Sequence, residues 1–313
     1  MMLTSKLPSL RTKTTLTVPQ TDCLVQADVP LSSFTSFRVG GKAQWYGAPK
    51  YQDDLNALVA WGQEQGLPLT MLGAGSNLLV SDRGVDGLVI STRHLRNATF
   101  QDEEAIVTAS AGEPIARLAW KLAKKGWSGM EWAVGIPGTV GGAVVMNAGA
   151  HQSCLADCLV NVVVLNANGT LERLTPAELE FSYRTCNLQG NRDRIVLQAT
   201  FQLQPGFNPQ TIHATTLNNL NQRKSSQPYD KPSCGSVFRN PGSHAAGWLI
   251  EQLGLKGYQI GGAQVAHRHA NFILNCGNAK AQDIFELICF VQDKVKSHWA
   301  LELETEVRML GNF

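Results

Sequence analysis

An α+β fold is predicted by three features of the sequence. Four stretches have helical periodicity, short β-branched runs lie between them, and the two kinds do not alternate strictly enough for a doubly wound parallel sheet. The length of 313 residues suits two or three domains, and a 43% hydrophobic content supplies their cores.

From Met1 to Gln20 the chain carries Lys6, Arg11, Lys13 and many Ser and Thr, with no acid before Asp22. It lacks the apolar centre of a secretory signal; the composition also fits an organelle transit peptide, but residues 1–30 are read as a flexible extension. The next region, 31–92, holds a helix at 53–65 with Leu55, Leu58 and Val59 on one face, and strands at 69–72 and 88–91. Region 93–205 opens with a strand at 106–109. A helix follows at 113–125, with Pro114 in its first turn, Ile115, Leu118, Ala119, Leu122 and Ala123 in register, and Gly126 as its stop. Strands at 160–165 and 195–203 complete the region, and Asn168-Gly169 before Leu171 marks a hairpin, since both residues tolerate positive φ. Pro205, Gly206 and Pro209 make 204–209 the expected linker.

Region 206–313 has helices at 245–253 and 282–299, the second striped by Ile284, Leu287, Ile288, Val291 and Val295, with a strand at 271–274 between them. A last strand is expected over 301–310. Period two turns Leu301, Leu303, Val307 and Met309 inward and Glu302, Glu304, Glu306 and Arg308 to the other face.

A net charge of +2 gives no reason to expect a nucleic-acid or membrane-surface partner. No apolar run nears the ~18 residues that span a bilayer. The seven cysteines include no CxxC pair, and Cys154 and Cys158 stand four apart, which reads as reduced thiols of a cytoplasmic protein. His267 and His269 flank Arg268 without a cysteine or carboxylate at ligand spacing, so no metal is expected.

Two glycine-rich loops carry the chemistry. The first, Gly73-Ala74-Gly75-Ser76-Asn77-Leu78, follows the strand at 69–72; its N–H groups could form a concave anion site, although by itself it fits a tight turn equally well. It is not the dinucleotide fingerprint, for the third glycine is missing. The second runs from Gly135 through Pro137, Gly138, Thr139, Gly141 and Gly142 to Asn147 and Gly149, a glycine density far above background. Two such loops suit a ligand with two ends, such as a pyrophosphate-bridged dinucleotide.

With Ser36-Phe37-Arg38-Val39-Gly40-Gly41 ahead of them, these loops resemble the FAD-binding part of UDP-N-acetylenolpyruvoylglucosamine reductases, a two-part domain of the vanillyl-alcohol-oxidase type. Further blocks resemble that family in the same order. They are Phe181-Ser182-Tyr183-Arg184, Pro232 to Pro241 around Ser236, Gly254-Leu255-Lys256-Gly257 with Ile260-Gly261-Gly262-Ala263, and Glu306-Val307-Arg308. The spacing is similar to that of the family's shorter branch, which lacks a substrate-closing tyrosine loop. One departure is Ser226, where many relatives have lysine; Arg223, Lys224 or Lys231 would then meet substrate phosphate.

The resemblance implies residues 31–92 and 93–205 as the two FAD subdomains and 206–313 as the α+β substrate domain. It implies non-covalent FAD, NADPH as co-substrate, a UDP-sugar enolpyruvate as substrate, and a monomer. Arg38, Gly73, Gly75, Ser76, Asn77, Leu78, Gly135, Pro137, Gly138, Thr139, Gly142, Asn147 and Gly149 would hold the cofactor. Catalysis would fall to Ser236 as proton donor, Glu306 as a carboxyl group with a raised pKa, and Arg184 on the substrate carboxylate. Tyr183, Asn240, Lys256 and Arg308 would touch substrate. A core tyrosine and a surface lysine are the plainer readings of Tyr183 and Lys256. A flavin-dependent oxidase of the same FAD fold is the rival function.

Overall fold

The computed structural model describes residues 15–313 except Gln20, Arg192 and Ser243. Strands β1 (Thr15–Thr17), β2 (Leu24–Pro30) and β3 (Lys42–Gly47) are antiparallel neighbours. Helix α1 (Gln52–Glu64) then crosses to β4 (Leu69–Leu72), and the chain continues through β5 (Leu78–Val80) to β6 (Val85–Ser91). The sheet order is β1-β2-β3-β6-β4, with β3, β6 and β4 mutually parallel. Leu55, Leu58, Val59 and Trp61 of α1 pack on Trp45, Leu88 and Ile90 of this sheet.

The expected flexible extension is therefore corrected from residue 15 onward. β2 is a full partner of β3, and its Val25 is completely buried. Residues 1–14 lie outside the described residues.

The second layer joins β7 (Ala98–Gln101), β8 (Ile106–Ser110), β11 (Leu159–Asn166), β12 (Leu171–Leu174) and β13 (Arg194–Gln202) into an antiparallel sheet, in the order β12-β11-β13-β8-β7. Between β8 and β11 come α2 (Ile115–Lys124), the short α3 (Val140–Val145) and a small hairpin of β9 (Gly149–Ala150) with β10 (Ser153–Cys154). The turn at Asn168-Gly169 joins β11 to β12 as expected, with Gly169 at φ +81°. A one-turn helix, α4 (Pro176–Leu179), precedes β13.

The stretch read as a linker opens α5 (Pro209–Ser226). Asn208 caps it by accepting from Gln210 N at 2.9 Å, and Pro209 takes the first helical position, where a missing N–H costs nothing. This helix rests on the second layer, with the Trp120 and His213 rings 5.0 Å apart.

The C-terminal part comprises α6 (Ala246–Gln252), a small antiparallel sheet of β14 (Gln259–Ile260), β15 (Ala263–Val265) and β16 (Ile273–Asn275), α7 (Ala281–Trp299), and β17 (Arg308–Leu310). Ile284, Leu287, Ile288, Val291 and Val295 form the buried stripe of α7. The long last strand shrinks to three residues, and these pair in parallel with β5 of the first layer rather than within the C-terminal sheet. Phe37, Val39 and Leu79 accordingly join the C-terminal core.

Candidate active site

The two glycine loops abut. Ser76 Oγ donates to the Pro137 carbonyl at 2.5 Å, and a Cβ on Gly73 would stand 2.8 Å from Thr139 Oγ1. Gly75 is left-handed (φ +67°), and a Cβ there would come within 1.9 Å of the Phe34 carbonyl oxygen. The same turn lets Ser36 N donate to Gly75 O at 3.0 Å. Across the seam, Thr139 caps α3 by accepting from Gly142 N at 3.4 Å. A Cβ on Gly138 or Gly142 would meet nothing nearer than 3.5 and 3.6 Å, so the loop surface there leaves room for a ligand, while Val140 N and Gly141 N tie the start of α3 to Glu113 O and Ala111 O at 2.9 Å each. This cradle of turns, with Arg38 exposed beside it at φ +57°, fits a nucleotide cofactor with a pyrophosphate.

Three of the expected cofactor residues also turn inward. Gly149 is required by the β9–β10 hairpin, where a Cβ would lie 2.5 Å from Ser153 O. Asn147 (5% exposed, φ +40°) donates from Nδ2 to Ser182 O at 3.0 Å and accepts from Ala156 N at 3.2 Å. Its side chain thus fixes the turn before Arg184. Asn77 Nδ2 donates to Glu306 O at 2.9 Å, and Asn77 O accepts from Arg308 N at 2.9 Å. The first glycine loop and the last sequence motif are thereby joined.

Arg184 is itself left-handed (φ +60°), a conformation that costs a non-glycine residue on the order of 1 kcal/mol and clusters at functional sites. Its Nη2 donates to Gly149 O at 2.8 Å, and its Nε lies 3.1 Å from Glu306 Oε1, close enough for an ion pair but off the hydrogen-bond line. Burial pushes the Glu306 carboxyl above the ordinary carboxylate range, against the opposing pull of Arg184 and Arg239. Arg239, which the sequence reading passed over, also donates to Arg184 O at 3.4 Å. Its place inside the block around Ser236 was the available signal.

Ser236 is half-buried on a segment held beside this pair: Glu306 N donates to Val237 O at 2.8 Å, and Phe238 bridges to Thr305. Simple alternation along that segment fails, because Phe238 is 2% exposed in the C-terminal core whereas Asn240 is exposed. Asn240 Oδ1 accepts from Ala246 N at 3.0 Å and so anchors α6. Tyr183 is 52% exposed, which removes the core-tyrosine reading, and the Arg184 guanidinium carbon lies 5.2 Å from its ring centroid. Lys256 is paired with Glu251. Arg308 is exposed at the head of β17, and Leu78 begins its partner β5. Arg223, at the end of α5, lies against Gly135, where a Cβ would meet its Cδ at 2.4 Å.

A relative from Synechocystis named UDP-N-acetylenolpyruvoylglucosamine reductase is 59% identical over 94% of this chain and 93% of its own length. The chain belongs to the UDP-N-acetylenolpyruvoylglucosamine reductase family. A relative of the same name from Trichormus variabilis is 61% identical over 95% of this chain and 89% of its own. Two family models match: an FAD binding domain over 43–175, and the C-terminal domain of UDP-N-acetylenolpyruvoylglucosamine reductase over 227–310. The crystal structure of the reductase from Thermus caldophilus superposes with a TM-score of 0.79 at 34% identity, covering 92% of this chain and all of that one. The α+β fold with a two-part FAD domain stands on these matches, and α5 falls between the two family models.

Proposed function

We infer that this chain catalyses the FAD-dependent reduction of UDP-N-acetylglucosamine enolpyruvate to UDP-N-acetylmuramate, a step of peptidoglycan synthesis, with NADPH as electron donor. The observation that carries the reading is the half-buried Glu306 carboxyl set against Arg184 beside Ser236, in a chain whose relatives bear the reductase name. Bound FAD, reduced by NADPH, would supply hydride to the enolpyruvyl methylene carbon.

The chain's own groups handle the charge that this creates. The carbon next to the substrate carboxylate becomes carbanion-like and must be protonated. Arg184 orients the carboxylate through a planar fork that a lysine could not replace. Glu306, whose pKa is raised by burial, would donate a hydrogen bond where negative charge grows, so it helps most in its protonated form. Ser236 Oγ delivers the proton; a hydroxyl is a weak acid, so its position has to be tightly fixed. Arg38 and the two glycine loops would hold FAD non-covalently, with Asn77, Asn147 and Gly149 shaping the site from within. Tyr183, Asn240, Lys256 and Arg308 would line the substrate side. Arg223 would take the phosphate role left open by Ser226, for it reaches the second loop at Gly135. No helix among the described residues is long and apolar enough to cross a membrane. A cytoplasmic monomer with residues 206–313 as the substrate domain completes the reading.

The test is anaerobic stopped-flow absorbance of the flavin. NADPH should bleach it, and added UDP-N-acetylglucosamine enolpyruvate should restore the oxidised spectrum as UDP-N-acetylmuramate forms. A flavin that recovers only when oxygen is admitted would instead make the protein an oxidase. Ser236→Ala should keep FAD and the NADPH step yet slow substrate-driven recovery by about 10³-fold or more. Normal recovery in that variant would remove Ser236 as the donor.

A further inference from the structure

Asn271 has no part in the chemistry described above, yet three hydrogen bonds run from it to the two residues after Ser236. It is 3% exposed and lies two positions before β16. Its backbone oxygen accepts from Val237 N at 2.9 Å, Oδ1 accepts from Phe238 N at 2.9 Å, and Nδ2 donates to Phe238 O at 2.8 Å. The side-chain amide occupies the place of a peptide from a neighbouring strand. The segment it grips is not a strand in its own right: opposite Asn271 it has a single bridge at Phe238–Thr305, the bonds from Glu306 N and, at 3.4 Å, Val307 N to Val237 O, and that from Arg239 N to Glu304 O. A serine acting as a weak acid needs closer placement than such a segment alone can give it.

We propose that Asn271 is a positioning residue for Ser236, its amide fixing the Val237–Phe238 backbone so that the hydroxyl faces the reacting carbon. The proposal rests on the reading of Ser236 as proton donor. The same device recurs at the other two catalytic groups: Asn77 Nδ2 holds the backbone oxygen of Glu306, and Asn147 Nδ2 holds that of Ser182 ahead of Arg184. Asparagine suits the task because one planar group both donates and accepts. Without it, the N–H and C=O of Phe238 would be left unpaired next to a side chain that is 2% exposed, a strong pressure for the segment to shift. A misplacement of about 1 Å at a reacting group slows catalysis by about 10²-fold.

The experiment uses N271D and N271L in the FAD-loaded full chain. A protonated aspartic acid reproduces both arms of the amide, whereas its ionised form loses the donor and sets negative charge against Phe238 O; leucine offers neither arm. Both half-reactions are followed by flavin absorbance without oxygen from about pH 5.5 to about pH 9. Amide hydrogen exchange at Val237 and Phe238 is measured on the same samples. NADPH-driven bleaching should stay within about twofold of the parent in both variants. Substrate-driven recovery should lag by about 10²-fold in N271L at every pH, and in N271D wherever exchange at Phe238 shows the clamp released. The S236A/N271L double variant should be no slower than S236A alone, since a misplaced donor and a missing one are the same defect. Loss of both half-reactions in parallel, or parent-like recovery once exchange shows the clamp open, would overturn the positioning role. Should N271L not retain FAD, N271D at high pH decides. S236A run alongside separates the two claims: its normal recovery ends the donor assignment, while its collapse beside parent-like Asn271 variants ends only the clamp.

Discussion

Replacing Gly75 by alanine tests the cofactor cradle against a matched control, Gly169→Ala. Both glycines are left-handed, at φ +67° and +81°, so each alanine carries a backbone penalty of about 1 kcal/mol. Around Gly169 no atom lies within 4 Å of a new Cβ, and that penalty is the whole cost. At Gly75 the new Cβ would stand 1.9 Å from Phe34 O, whereas real Cβ contacts stay above 3.0 Å, so backbone must move by about 1.1 Å. Such overpacking costs about 1–3 kcal/mol, and losing the bond from Ser36 N to Gly75 O adds about 1 kcal/mol. Gly75→Ala should therefore be about 3–5 kcal/mol less stable than the parent, against about 1 kcal/mol for Gly169→Ala. Urea unfolding with and without added FAD measures both, and the shift of the loop should also weaken FAD retention in Gly75→Ala alone. Equal destabilisation of the two variants, or undiminished FAD binding by Gly75→Ala, would refute the close approach at Phe34.

Glu306 binds its proton more tightly folded than unfolded. Its contribution to stability is thus fully present below the unfolded carboxyl pKa and is lost as pH rises through the higher folded value. Glu306→Gln, which cannot ionise, should gain stability relative to the parent as pH rises from about 4 towards neutrality, read by thermal melting; a relative loss over that range would reverse the assignment. Arg184→Lys should keep FAD but lower kcat/KM by about 10–100-fold, because one ammonium cannot serve both Gly149 O and the Glu306 carboxylate. Cys158 and Cys234, each pushed up to about 12 by burial, should resist alkylation in the native protein and react after denaturation, as peptide mass mapping would show.

What the sequence made legible follows from how local each signal was. The glycine loops could be read because a left-handed turn or a close approach leaves its mark on one residue type, as at Gly75. Helices α1, α2 and α7 declared themselves through stripes facing a single core. Helix α5 did not: it is rich in Thr, Asn, Gln and Ser, and only Ile212 and Thr216 are buried, so it has no stripe to find. Its start, Asn208-Pro209, has the same composition as a linker.

At the other end of the chain, alternation predicted one face for Glu304 and Glu306, yet their side chains are 74% and 17% exposed. The chain there leaves any ladder until residue 308, and period two holds only while a partner strand enforces it. The role of Asn271 left no pattern at all, since it depends on a backbone segment 33 residues away.

The parallel pairing of β5 with β17 also bears on how the protein matures on the ribosome. Asn77 meets the Glu306 carbonyl across 229 positions of sequence, and Ser81 Oγ meets the Asn312 carbonyl across 231. Such contacts form only after residues 306–312 have emerged, and closing so long a loop places them among the slower events of folding. The first cofactor loop can take its turn early, but its link to the carboxyl-bearing segment must wait until Glu306 has been synthesised. Assembly of the catalytic centre is thereby coupled to the arrival of a segment more than 200 residues downstream.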